Sequence, residues 1–124
     1  MALSKINPTN LSSWAKLDKK FKAECNNHIS AFFEESDRLE KFTTSWKDFY
    51  LDFSKNRLSS SSFKLLLDLC GETDLKNNIE KYFNGSIINE TEKRAVLHTT
   101  LRSSKIKNPN LKQEVNDTLD KIIS

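Results

Sequence analysis

At 124 residues the chain is one domain at most, long enough to bury a core but short for a complete metabolic enzyme. Hydrophobic residues make up 36% and charged residues 30%, which fits a mainly helical globular chain. The excess of 20 Lys and Arg over 17 Asp and Glu is small and is interspersed with acids, which argues against a nucleic-acid binder with its concentrated basic stripe. Cys25 and Cys70 are far apart with no CxxC spacing, so they read as reduced core residues rather than a disulfide or metal site. There is no signal peptide and no apolar run of membrane length, so a cytoplasmic location with no membrane partner is expected.

Taken in chain order, Pro8 in INPTN holds the N-terminal lead-in out of helix. From about Leu11 the residues Leu11, Trp14, Leu17, Phe21, Cys25, His28 and Phe32 recur at steps of three and four, which predicts a long helix with one buried stripe. Lys16, Lys19, Lys20 and Lys22 lie mostly off that stripe and read as a solvated face rather than a phosphate-binding patch. His28 falls on the apolar stripe and is expected to be structural. Between Phe33 and Ser45 a short helix ending near Phe42 is expected. Its Glu34, Glu35, Asp37 and Glu40 lack the apolar surroundings that would raise a pKa, so they read as acidic surface rather than acid–base machinery.

Phe49, Leu51 and Phe53 alternate with Tyr50 and Asp52, the period of a short strand that ends in a polar turn at Ser54 to Arg57. No partner strand is evident in the sequence. Ser59 to Ser62 offer N-caps for a helix through Phe63, Leu66, Leu67 and Cys70 to Gly71, with Leu65 and Leu69 widening its apolar arc. Asp74 is placed to cap a helix carrying Ile79, Tyr82 and Phe83, which Gly85 should end in a left-handed C-cap. Asn89, with Glu92 three residues on, reads as a capping box opening a short helix with Val96, Leu97, Thr100 and Leu101 on one stripe. On that helix Arg94, His98 and Arg102 share a face suited to an anion, a carboxylate partner or a second subunit. After a polar loop, SSKIKN, Asn108 caps and Pro109 opens a last helix striped by Leu111, Val115, Leu119 and Ile122. The expected fold is mainly α, with about five helices and one short strand.

Gly85 to Arg102, GSIINETEKRAVLHTTLR, resembles the motif G-x-x-I-N-x-T-E-x-R-A-V-L-H-x-A-L-R carried near the N-terminus by glucose-6-phosphate isomerases. Gly85, Ile88, Asn89, Thr91, Glu92, Arg94, Ala95, Val96, Leu97, His98, Leu101 and Arg102 match in order, and Thr100 departs where alanine is usual. DFSKNRLS, Asp52 to Ser59, is similar to the family's D-Y-S-K-N-x-x-(T/S), with Phe53 in place of tyrosine. The opening N-P-T before a Trp-containing helix, the Asp37–Arg38 pair before Lys41, Phe42 and Thr43, and Val115, Asn116, Leu119, Asp120 and Lys121 fit the same family. The resemblance runs from about Ile6 to Lys121.

Members of that family run to several hundred residues and build two sugar-isomerase α/β lobes of an α/β/α architecture after this segment. The resemblance therefore implies that residues 1–124 form a single N-terminal helical segment, with the catalytic lobes absent. The family interconverts glucose 6-phosphate and fructose 6-phosphate by proton transfer through a cis-enediol. Its phosphate loop, glutamate base, ring-opening histidine and assisting lysine lie in motifs that do not occur here. The resemblance thus implies no catalytic residue in this chain, no cofactor and no metal. Lys55 reads as structural, because the family's active-site lysine lies near the far C-terminus. Arg94 is the one substrate-binding candidate, set against an ion pair that orders its helix. His98 reads as a packed or hydrogen-bonded helix histidine and Arg102 as the partner of a carboxylate elsewhere in the full protein. The sugar phosphate would be bound only by the full-length enzyme, a homodimer, and the isolated chain should be inactive. The alternative is a stand-alone, non-catalytic helical module binding a partner such as a full-length isomerase subunit.

Overall fold

The computed structural model describes residues 3, 5–102 and 108–124, and the SSKI and Lys107 stretch of the predicted polar loop lies outside the described residues. Two compact units are present: Asn7–Thr73, and Asp74–Ser124 with the N-terminal residues through Ile6. The described residues contain six α-helices and two separate antiparallel strand pairs. The expected single strand is thereby corrected to four, and two of the helices are single turns.

In the first unit a 3-10 turn, Pro8–Asn10, is capped by Asn7, whose side chain accepts from Thr9 N. It leads into α1, Ser12–Glu24. The predicted long helix does not reach Phe32. It stops at Cys25, because His28 adopts an extended conformation and caps a new one-turn helix, α2 (Ile29–Phe32), by accepting from Ser30 N through its ring. His28 is thus a cap rather than a member of a buried stripe. α3 (Arg38–Lys41) ends at Phe42, as the sequence predicts.

The strand expected at Phe49 is β2 (Phe49–Asp52), and its partner is β1 (Thr43–Trp46). They pair antiparallel, with Thr43 opposite Asp52 and Trp46 opposite Phe49. The sequence hides this hairpin because its two-residue loop carries no glycine. Lys47 takes the positive φ, 51°, that a tight hairpin loop demands. Trp46 and Phe49 stack across the pair at 5.8 Å between ring centroids, and the Lys47 ammonium lies over Trp46.

α4 (Ser60–Glu72) starts where predicted, with Ser59 Oγ accepting from Ser62 N, and runs one residue past Gly71. The apolar core here is small. Phe42 is wholly buried and meets Phe53 and Phe63 at centroid distances of 5.3 and 5.6 Å, with Phe53 and Phe63 5.5 Å apart. Phe53, standing where the family pattern has tyrosine, spends its ring in this trio. Beneath it lies Arg38, 1% exposed, its guanidinium 4.4 Å from the Phe42 ring centroid.

In the second unit α5 spans Leu75–Phe83. Asp74 occupies its cap position but does not cap it: the residue is left-handed, φ 55°, and its carboxylate accepts from Asn77 Nδ2 instead. The C-terminus matches expectation. Gly85 has φ 70°, Gly85 N donates to Tyr82 O and Ser86 N donates to Lys81 O, the two bonds of a Schellman ending. α6 (Pro109–Ile123) is capped by Asn108, whose Oδ1 accepts from Asn110 N and Leu111 N.

A Cβ at Gly85 would collide with the Leu111 side chain as well as oppose the positive φ. Gly85→Ala is therefore expected to destabilise this unit by roughly 2 to 4 kcal/mol, backbone strain and overpacking combined. Amide exchange in α5 and α6 reads this directly; unchanged protection would mean that neither the positive φ nor the Leu111 contact constrains this position.

The largest departure lies between Ile87 and Arg102. In place of a helix there is a hairpin, β3 (Ile87–Asn89) with β4 (Arg94–Ala95), followed by turns. Lys93, φ 52°, reverses the chain. A helix of this length is marginal unless its stripe packs against something, and the β-branched pair Ile87–Ile88 favours extended backbone.

Candidate functional site

The residues singled out by the sequence gather at this second hairpin. Asn89 and Glu92 make the forward contact of a capping box without a helix behind them, and the return contact runs between side chains rather than to the Asn89 amide. Asn89 Oδ1 accepts from Glu92 N at 3.2 Å and from Thr91 Oγ1 at 2.7 Å, while Asn89 Nδ2 donates to Glu92 Oε2 at 2.9 Å. The local chemistry was legible, but its consequence is a tight turn. Arg94 follows on β4 and is exposed, its Nε donating to Glu92 Oε2 at 2.6 Å. Lys5 pairs with Glu90 at 2.9 Å on the same turn; hydrogen bonding to that carboxylate, reinforced by its charge, raises the Lys5 pKa.

Arg94, His98 and Arg102 do not share a helix face. His98 and Arg102 are exposed residues of successive turns, and Arg102 Nη1 donates to the His98 carbonyl at 3.3 Å. His98 is therefore not a packed helix histidine. The site retains one guanidinium, Arg94, whose carboxylate partner is itself solvated. An exposed pair of this kind holds its members weakly, by about 0 to 1 kcal/mol.

The other sequence candidates lie in the first unit. Lys20 and Lys22 are paired with Glu24 and Asp18 at 2.8 and 2.5 Å, which breaks up the lysine face. Lys55 is exposed in the turn after β2. Glu34 and Glu40 are exposed, whereas Glu35 is half-buried and accepts from Ser60 Oγ at 2.7 Å. Cys25 and Cys70 are free and only half-buried, so neither is a core residue.

Sequence reasoning missed the role of Arg38. Its Nε donates to Ser54 O at 2.8 Å, Nη2 to Asn56 O at 2.8 Å and Nη1 to Leu58 O at 3.0 Å. One buried guanidinium thereby shapes the DFSKNRLS turn, whose own Asp52 Oδ1 accepts from Ser54 N. Hydrogen bonds from Ser54 hold the Asp52 carboxyl below its ordinary pKa. Arg57, from the same turn, donates to the carbonyls of Cys25 and Asn27 and closes the C-terminal end of α1. The only sequence signal was the Asp37–Arg38 pair, which marks the position but not its contacts.

Between α1 and α4 lies an open cleft of about 480 Å³ walled by Trp14, Leu17, Phe21, Leu66 and Leu69, with Arg57 at its rim. Such a cleft can receive apolar side chains or a small ligand. Among the described residues no three of His, Cys, Asp and Glu gather as a metal-binding group, and no helix is long and apolar enough to cross a membrane.

The turn at DFSKNRLS and the hairpin within INETEKRAVLH are built from the two stretches that carry the sequence resemblance described above. Residues 52–124, more than half of the chain, match the family model of phosphoglucose isomerase, and the chain belongs to that family. It is similar to the curated glucose-6-phosphate isomerase of Christiangramia forsetii (strain DSM 17595 / CGMCC 1.15422 / KT0803), 42% identical over 126 residues. That match takes in 97% of this chain and 23% of the relative, so the chain spans about a quarter of the relative's length.

Proposed function

We propose that this chain is the N-terminal part of a glucose-6-phosphate isomerase, supplying scaffold to an enzyme that interconverts glucose 6-phosphate and fructose 6-phosphate. The observation that carries this reading is the match itself: 97% of this chain aligns with only 23% of a curated isomerase. The proton transfer through a cis-enediol needs a base shielded from water and close to both sugar carbons. Arg94 lies exposed, and the other groups at its hairpin are solvated charges, so the base is assigned to the remaining three quarters of the enzyme. That remainder is proposed to add the α/β/α lobes, and the assembled enzyme to be a cytoplasmic homodimer without cofactor. Exposed apolar residues support a chain that packs onto further protein: Trp46, Phe49 and Tyr50 are 64%, 69% and 68% exposed.

The test is an isomerase assay on the purified 124-residue chain, then on the chain co-expressed with a relative's isomerase lacking the corresponding segment. We expect no turnover from the chain alone and recovered turnover from the pair. Turnover by the chain alone would overturn the assignment of catalysis to the remainder, and an inactive but assembled pair would overturn the scaffold role.

Arg94 is proposed to contact the sugar phosphate in the assembled enzyme. Losing a charged hydrogen bond to substrate costs about 1.5 to 3 kcal/mol. Arg94→Ala in the active pair is thus expected to raise KM about 10-fold or more, with little change in melting temperature. An unchanged KM with a small loss of stability would return Arg94 to the role of a Glu92 partner.

A further inference from the structure

α1 carries no cap of its own, since Leu11 at its N-cap position makes no side-chain bond. Its first turn is instead held by Glu72, the last residue of α4. Ser12 Oγ donates to Glu72 Oε1 at 2.6 Å, and Ser13 N and Oγ donate to Oε2 at 3.1 and 2.5 Å. A carboxylate of the other helix also stands at the opposite end, here through hydroxyls alone. Glu24, the last residue of α1, accepts from Ser59 Oγ at 3.0 Å and Ser62 Oγ at 2.8 Å, at the N-terminus of α4. The two helices therefore run antiparallel: Glu72 caps α1 directly through Ser13 N, whereas Glu24 binds the hydroxyls of Ser59 and Ser62 and so buttresses the cap that Ser59 gives α4, both carboxylates lying where the helix dipole favours negative charge.

We propose that Glu24 and Glu72 form a two-ended lock that couples α1 to α4, so that the helices of the Asn7–Thr73 unit are released together by acid rather than one at a time. Loss of Glu72 leaves the Ser13 amide of α1 without its acceptor, and loss of Glu24 leaves the Ser59 and Ser62 hydroxyls that tie the α4 cap to α1 without theirs. The charged groups around Glu24 are Lys20, one turn earlier on α1 at 2.8 Å, Arg57 and Asp18 along the cleft, and, at the same N-terminus of α4, Glu35, which accepts from Ser60 Oγ at 2.7 Å and lies 3.9 Å from Arg38. Those around Glu72 are Lys16 of α1 and, one turn earlier on α4, Asp68.

Burial pushes the Glu24 carboxyl up, but hydrogen bonds from Lys20, Ser62 and Ser59 outweigh it and leave its pKa below the ordinary value. Hydrogen bonds from Ser12 and Ser13 lower that of Glu72. With both folded values below the unfolded one, the stabilisation is complete above the ordinary glutamate pKa of about 4.3 and is lost as pH falls through the lowered folded values.

The test is amide exchange by residue on the full 124-residue chain, with α6, capped by its own Asn108, as internal reference. In the wild type, protection of α1 and α4 should fall together below about pH 4.3. Glu72→Ala and Glu24→Ala, each at pH 7, should reduce protection about tenfold in both helices, the scale of a lost charged hydrogen bond. Loss confined to the helix whose N-terminus lost its carboxylate, or wild-type helices releasing at different pH values, would overturn the proposal. If an alanine variant is unfolded at pH 7, Glu24→Gln and Glu72→Gln, which keep a hydrogen-bonding side chain, carry the test. Each should flatten the acid response of both helices, and an unchanged wild-type profile in either would overturn the lock.

Discussion

Arg38→Met is expected to cost the Asn7–Thr73 unit about 3 to 5 kcal/mol, read by urea unfolding. Methionine fills much of the space but leaves the carbonyls of Ser54, Asn56 and Leu58 without their donor. Each unsatisfied buried group costs roughly 1 to 3 kcal/mol, and partial hydration of the outer two keeps the sum in the stated range. The cation–π contacts with Phe42 at 4.4 Å and Phe33 at 5.2 Å are lost as well. Arg38→Lys keeps the charge but replaces a three-way fork by a point donor, so about half the loss should remain. Trp14 and Trp46 both lie in this unit, so tryptophan fluorescence reports on it alone. A loss below about 1 kcal/mol for Arg38→Met would mean that water replaces the guanidinium at all three carbonyls.

Phe42→Ala is expected to be of similar size, about 3 to 5 kcal/mol. Phe42 is fully buried, and only Phe32 joins it as a buried large apolar side chain among the described residues, so little neighbouring core can collapse into the void. Phe42→Leu should cost only about 1.5 kcal/mol, because most of the volume is retained. The two sites are not independent, since the guanidinium lies on the Phe42 ring. The Arg38→Met, Phe42→Ala double variant should therefore fall short of the sum of the singles in a fluorescence-monitored urea titration. Additive losses would show that the stacking contributes nothing beyond packing.

How far the fold could be read varies with the distance over which each decision is made. Ser59, Asn108 with Pro109, and Gly85 were legible because a cap satisfies amides or carbonyls within one turn of itself. β2 was legible from its alternation, and β1 was not, because its four residues alternate poorly and the loop signal is a lysine at positive φ rather than glycine or asparagine. The break after Glu24 escaped periodicity for a similar reason. The apolar spacing continues to Phe32 while His28 leaves the helical conformation to serve as a cap.

The segment from Asn89 to Arg102 shows both sides at once. Its wording was enough to place the chain among the isomerases, and of its capping contacts the one from Glu92 N to the Asn89 side chain was legible, since both depend on local side-chain chemistry. Whether those contacts open a helix or close a turn depends on what packs against Val96 and Leu97, and no pattern within the segment encodes that. Arg38 and the Glu24–Glu72 pair are further cases. Their partners lie 16 to 60 residues away, so chain order gives no hint of them. Caps, strand period and family membership were thus properties of short stretches, whereas the buried Arg38 guanidinium and the carboxylates that tie α1 to α4 act only once distant parts of the chain meet and satisfy one another's polar groups.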